Sequence, residues 1–144
     1  MVINAYLGFN GNCEEAFKFY EKVLGGKIEA LVTYGATPMA GKMPEEFKSK
    51  IAHVRLVADG QVLMGGDMPG EHYAAPKGIT VCINPKNTAE AERFFNELSK
   101  DGQVTMPFGE TFWAERFGMF TDRYGIPWMI NLEKASRPAV SGAA

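Results

Sequence analysis

The sequence predicts an α+β fold in which two βαβββ modules place eight strands in one curved mixed sheet around a cavity. Three observations lead there. Asn12, Ala16, Phe19, Tyr20 and Val23 recur in the second half as Asn87, Ala91, Phe94, Phe95 and Leu98, so one pattern is stated twice. Each set follows a short apolar run and precedes a strand and a hairpin signal. At 144 residues and 46% hydrophobic content the chain is long enough for a substantial core. A single helix on a single sheet leaves one sheet face uncovered, so the two modules are expected to pack together.

The first module opens with an apolar run, Val2 to Phe9, stopped by the turn dipeptide Asn10-Gly11. Asn12 with Glu15 three residues on reads as a capping box that starts a helix. Cys13, Ala16, Phe17, Tyr20, Val23 and Leu24 give that helix one apolar stripe, and Gly25-Gly26 ends it. Lys27 to Tyr34 reads as a strand, and Pro38 to Lys50 as a long inserted loop. Ile51 to Ala58 and Gln61 to Met64 flank Asp59-Gly60, a two-residue hairpin turn.

Gly65 to Gly78, rich in glycine, connects the modules. The second begins with the β-branched run Ile79 to Ile83, broken at Asn84-Pro85. Asn87 and Glu90 repeat the capping box, and Asp101-Gly102 closes the second helix. Gln103 to Phe108 is the counterpart strand. Thr111 to Thr121 and Ile126 to Leu132 then flank the turn Asp122-Arg123-Tyr124-Gly125. One domain is therefore expected over 1–134, with modules at about 1–68 and 76–134 and a flexible small-residue tail at 135–144.

Composition narrows the function classes. A net charge of −2 without a basic run argues against a nucleic-acid surface. No apolar stretch reaches the roughly 20 residues of a membrane span, and Met1 to Leu7 lacks a signal-peptide pattern. Cys13 and Cys82 have no CxxC partner and read as reduced, mostly buried thiols of a cytoplasmic protein. Aromatic residues gather in the second module's hairpin, at Phe112, Trp113, Phe117, Phe120, Tyr124 and Trp128, with Met64, Met119 and Met129 as flexible apolar lining.

Several separated motifs agree in order with a known family. Asn10-Gly11-Asn12-Cys13-Glu14-Glu15-Ala16 with Phe19-Tyr20, the His53 strand before Val62-Leu63-Met64-Gly65-Gly66-Asp67, and Phe112-Trp113-Ala114-Glu115-Arg116-Phe117-Gly118 with Asp122-Arg123-Tyr124-Gly125-Ile126-Pro127-Trp128-Met129 resemble the PhnB-like (YjdN-like) proteins. These belong to the vicinal oxygen chelate superfamily of glyoxalases, bleomycin resistance proteins and extradiol dioxygenases. The resemblance implies paired βαβββ modules and a homodimer whose cavities use strands from both chains. Members often carry a demethylubiquinone methyltransferase label, but this sequence has no glycine-rich nucleotide loop for a methyl donor.

The resemblance also implies where a metal would sit. Its ligands, typically His or Glu, come from the first and last strands of each module, near Ala5, Leu63, Thr80 and Met129 here. A one-residue slip substitutes Tyr6, Met64, Ile79 and Ile130, and neither set holds a histidine or carboxylate. The usual metal site is therefore expected to be missing, and no cofactor is predicted. A displaced site at Asp67, Glu71 and His72 with His53 is the alternative, though glycines and Pro69 leave that loop poorly fixed.

His53 is the better single candidate. The Asp59-Gly60 turn sets Ala58 opposite Gln61, Leu56 opposite Leu63 and Arg55 opposite Met64, and paired residues share a face. If Leu63 points into the cavity, His53 and Arg55 face the helices; if Met64 does, they enter the cavity. Polarity favours the second arrangement, because both groups would need buried partners beneath a helix. A satisfied structural histidine remains the competing reading. No serine lies in a GxSxG setting, and Glu14-Glu15 and Glu45-Glu46 read as helix-start and loop charges.

His53, Arg55, Met64, Phe112, Trp113 and Met129 are thus the expected ligand-binding residues. The leading function is small-molecule binding without the usual metal. The alternatives are a metal-dependent lyase, isomerase or dioxygenase using His53 or His72, and a dimeric interaction module.

Overall fold

The computed structural model describes residues 1–135, so the tail from Ser136 onward lies outside the described residues. The first module comprises β1 (Ala5–Phe9), α1 (Cys13–Leu24), β2 (Lys27–Thr33), β3 (Ile51–Ala58) and β4 (Gln61–Asp67). The second comprises β5 (Val81–Ile83), α2 (Thr88–Ser99), β6 (Gln103–Gly109), β7 (Ala114–Thr121) and β8 (Pro127–Glu133). The inserted segment after β2 is ordered as three short 3-10 turns, Tyr34–Ala36, Ala40–Lys42 and Glu45–Phe47. Among the described residues no helix is long and apolar enough to cross a membrane.

The two modules are as expected, but they do not join into one sheet. Each makes its own four-stranded sheet, in the order β1-β4-β3-β2 and β5-β8-β7-β6. In each, the first strand runs parallel to the last, and the other pairs are antiparallel. The edge strands β1 and β5 face a common cleft instead of hydrogen-bonding to each other. The two helices also contribute to the join between the modules. They meet at the seam between the modules, where the Arg93 guanidinium donates to the Val23 carbonyl at 2.9 Å. Leu7, Phe9 and Val54 of one sheet and Phe120, Trp128 and Ile130 of the other belong to a single core with both helices. The physical reason is the apolar stripe of each helix: Tyr20 of α1 packs edge-on against Trp128 and Tyr124 of the second module, so α1 serves both halves.

Only one predicted capping box forms. At α2 the Asn87 side chain accepts from the Glu90 amide at 2.8 Å, and the Glu90 carboxylate accepts from the Lys86 amide at 3.2 Å. At α1 the Asn12 side chain makes no cap, and its Oδ1 is buried without a partner. Asp67, 1% exposed at the end of β4, does the work from across the sheet. Its Oδ1 accepts from the Gly11 and Cys13 amides at 2.9 and 3.0 Å, and its Oδ2 from the Ile51 amide at 2.8 Å. A full carboxylate at the helix start satisfies exposed amides and complements the helix dipole, which leaves Asn12 without that task.

Asp122 is the matching buried carboxylate of the second module, 3% exposed. Its Oδ1 accepts from the Tyr124 and Ile126 amides, both at 2.9 Å, and shapes the β7–β8 turn. Its Oδ2 accepts from the Trp128 indole at 2.8 Å and from the Tyr20 hydroxyl. That last bond ties α1 to the final hairpin of the other module.

Candidate functional site

The register decides which side chains share a face. Arg55 pairs with Met64, Met64 with Tyr6, and His53 with Val32, while Leu56 pairs with Leu63 and Leu63 with Ala5. Phe17 of α1 lies against Gly65, which pairs with Val54, so Leu63, Gly65 and Leu56 are on the helix side. Tyr6, His53, Arg55 and Met64 occupy the opposite face, the second of the two arrangements the hairpin allowed. Within the single chain this face is open: Tyr6 is 47% exposed, and His53 and Met64 are half-buried.

Tyr6 and His53 form a unit there. Their rings stack with centroids 5.8 Å apart, and the Tyr6 hydroxyl lies 3.4 Å from His53 Nδ1 and 3.3 Å from the Ala52 carbonyl oxygen. When the hydroxyl donates to Ala52, its oxygen is free to accept from Nδ1–H. Gly66 makes room for this, since a Cβ there would sit 3.0 Å from the hydroxyl and 2.9 Å from the Ala52 carbonyl. Partial burial raises the Tyr6 pKa and keeps the phenol protonated. Arg55 is held at the rim by Glu29, 3.1 Å from its Nε.

The second sheet repeats the division. Trp128, Ile130 and Phe120 face the helices and are buried, and Phe95 of α2 lies against Gly118. Met129, Met119 and Cys82 point to the other face. Phe112, 87% exposed, and Trp113, 41% exposed, stand in the loop before β7 as an aromatic ladder. Phe112 packs edge-on to Trp113, and Trp113 to Phe117, at 4.8 and 5.2 Å between centroids. The six expected binding residues therefore fall into two groups. His53, Arg55 and Met64 share one open face, and Met129 with the Phe112–Trp113 loop belongs to the other sheet.

Between the modules lies a separate cleft of about 490 Å³, lined by Ala5, Leu24, Leu63, Val81, Phe94 and their neighbours. None of the six expected residues lines it. Of its two acids, Asp59 pairs with Lys86 at 3.4 Å and Glu90 is occupied by the Lys86 amide.

The displaced metal cluster does not form. Among the described residues no three or more His, Cys, Asp or Glu side chains converge on a point that could hold a metal ion. Asp67 spends both oxygens on backbone amides. Of the strand positions implied for the usual ligands, Ala5 and Leu63 lie on the helix side and line the inter-module cleft, Met129 faces the open side of the second sheet, and the one-residue slip brings Tyr6 and Met64 to the open face of the first. A phenol and thioethers do not match the imidazole and carboxylate oxygens that a hard or borderline divalent ion takes.

A profile described as the glyoxalase/bleomycin resistance protein/dioxygenase superfamily matches residues 2–130. The chain belongs to that superfamily. Among its relatives is protein YjdN of Escherichia coli strain K12, 32% identical over 142 residues, covering 93% of this chain and 97% of YjdN. Protein PA1353 from Pseudomonas aeruginosa is 48% identical, with a TM-score of 0.84 over 92% of this chain and 98% of that one. The PhnB protein from Bacillus cereus shares the fold, with a TM-score of 0.77 at 23% identity over 92% and 99% of the two chains. These superfamily relatives fit the two-module architecture.

Sequence reading overlooked Asp122 and Tyr6 as functional parts of the molecule. Asp122 carried a weak signal, an aspartate opening a four-residue turn. Tyr6 had none, because its partner His53 lies on a strand far along the chain. Cys82 was expected to be mostly buried and is exposed, since it alternates with Val81 and Ile83 on the short edge strand β5.

Proposed function

We propose that this superfamily member is a cytoplasmic small-molecule-binding protein that works as a homodimer and holds a partly apolar guest against its open sheet faces without a divalent metal. The observation that carries the reading is the composition of those faces. They present Tyr6, His53, Arg55 and Met64 on one sheet and Met129 and the Phe112–Trp113 loop on the other. A monomer gains nothing by exposing contiguous apolar surface, and such surface marks a binding or association site. Each face lies open in the single chain and needs a cover before it can enclose a guest. A second copy supplies that cover with its own complementary face. The Tyr6–His53 pair and Arg55 then give the guest a few polar contacts within an apolar enclosure, the usual make-up of a ligand site. Two free cysteines accord with a reducing compartment.

The test combines mass and binding on the full chain. Light scattering should give the mass of two chains at micromolar concentration, and a single-chain mass would remove the closure argument. Anilinonaphthalene sulfonate should bind saturably with enhanced emission, and Met64→Lys and Trp113→Ser should each weaken it at least tenfold. If the dye is instead displaced only by Leu24→Trp, which fills the inter-module cleft, the guest site lies there. A dimer that binds no dye favours the interaction-module reading. One tightly held divalent ion per chain in protein purified without chelators would restore the metal-dependent reading.

A further inference from the structure

The second sheet carries a row of four sulfur-bearing residues, of which the guest-binding reading uses only Met129. Cys82 is the register partner of Met129, Met129 of Met119, and Met119 of Met106. These four residues cross the whole sheet, one from each of β5, β8, β7 and β6, in a single row. Partners on neighbouring strands share a face and stand about 5 Å apart at Cα. The chain has eight methionines and two cysteines, and four of these side chains fall in this one line.

The row is on the open face, since the flanking Trp128, Ile130 and Phe120 are buried in the core with the helices. None of the four is a core residue: Cys82 is exposed, Met106 is 41% exposed, and Met119 and Met129 are half-buried. Core packing therefore does not explain their identity. Thioether and thiolate sulfur are soft, polarisable donors that select soft cations over Mg²⁺, Ca²⁺ or Mn²⁺. Methionine's unbranched chain lets a sulfur swing over its neighbour, so adjacent members of the row can converge on one ion.

We propose that the Cys82–Met129–Met119–Met106 row is a binding site for a soft monovalent cation, Cu(I) or its mimic Ag(I). The Cys82 thiolate and the Met129 and Met119 thioethers form the first ligand set, and Met106 extends it at the sheet edge. On binding, the Cys82 S–H bond breaks heterolytically, the proton passes to solvent, and the sulfur lone pair makes the metal–sulfur bond. No electron is transferred. The site stands on the strand register alone and does not depend on the guest-binding reading.

The experiment is an anaerobic titration of the full chain with Cu(I) in competition with bathocuproine disulfonate, read by the absorbance of the chelator complex. The wild-type chain should withhold one equivalent of Cu(I). Cys82→Ser and Met129→Leu should each weaken retention at least tenfold. The double variant Met39→Leu/Met43→Leu, in the inserted segment, should match the wild type. Methionine-to-leucine changes nearly conserve volume, and circular dichroism of each variant confirms the fold. The proposal is overturned if the chelator strips all Cu(I) from the wild type. It also fails if folded Cys82→Ser or Met129→Leu retains wild-type affinity, or if the Met39/Met43 variant loses as much. Dye binding is read separately, so either proposal can fail without the other.

Discussion

Cys13 and Tyr20 sit where ionisation is most unfavourable, and both point to the same solution behaviour. Burial, reinforced by the Asp67 charge, lifts the Cys13 thiol far above its ordinary 9.0. Burial and then the Asp122 charge lift the Tyr20 phenol well above 10.0. Both groups stay protonated in the folded chain while the unfolded chain releases their protons at the ordinary values. Above those values the unfolded state binds fewer protons, so stability falls as pH rises. Urea midpoints are expected to be flat up to about pH 8, where neither group titrates in either state, and to decline from pH 9 upward. Cys13→Ala should remove the onset near 9, and Tyr20→Phe the steeper part above 10. A decline of unchanged shape in both variants would show that other groups set it.

The two helices present a natural comparison, because the sequence writes the same start for each and the fold treats them differently. Asn87→Ala should cost about 1 kcal/mol, the usual loss for a working N-cap, measured by urea unfolding. Asn12→Ala should cost less than half of that, since its side-chain oxygen caps nothing. Capping propensity is a local property and could be read from the residues. That a carboxylate at the end of β4 would take over at α1 depends on a strand pairing across the sheet. The glycines of β4 are decided the same way. At Gly65 a Cβ would lie 2.7 Å from both the Leu7 carbonyl and the Phe17 ring, with backbone on one side and a buried side chain on the other. Gly65→Ala should therefore destabilise by about 1–3 kcal/mol through overpacking, checked by the shift in urea midpoint. Strand and helix positions were legible from periodicity and turn residues. The Asp59-Gly60 turn also fixed the β3–β4 register, since both residues take positive φ and pair Ala58 with Gln61.

The two modules are held as one body by a small number of groups at the helical seam. Asp122 gathers four donors, one of them from the other module, so its removal strands polar hydrogens in a dry site. Asp122→Ala should lower stability by about 3 kcal/mol or more. In the wild type, far-ultraviolet dichroism and tryptophan emission should report one coincident unfolding transition. Separate transitions would mean that the halves are only loosely joined. The same seam determines where ligands can go. With the helices packed on one side of each sheet, the other face is left uncovered, and the six expected binding residues divide between those faces.

The repeat, the turn dipeptides and the apolar stripes were enough to establish two βαβββ modules and to put His53, Arg55 and Met64 on a common face. These are short-range matters of propensity, period and register. Whether the eight strands join, which side the helices take and which carboxylates bind them together depend on contacts between distant segments, such as Tyr20 with Asp122. Those contacts leave no local signature, because hydrophobic burial rewards any arrangement that covers an apolar stripe. Only close packing and the pairing of buried polar groups select one of them.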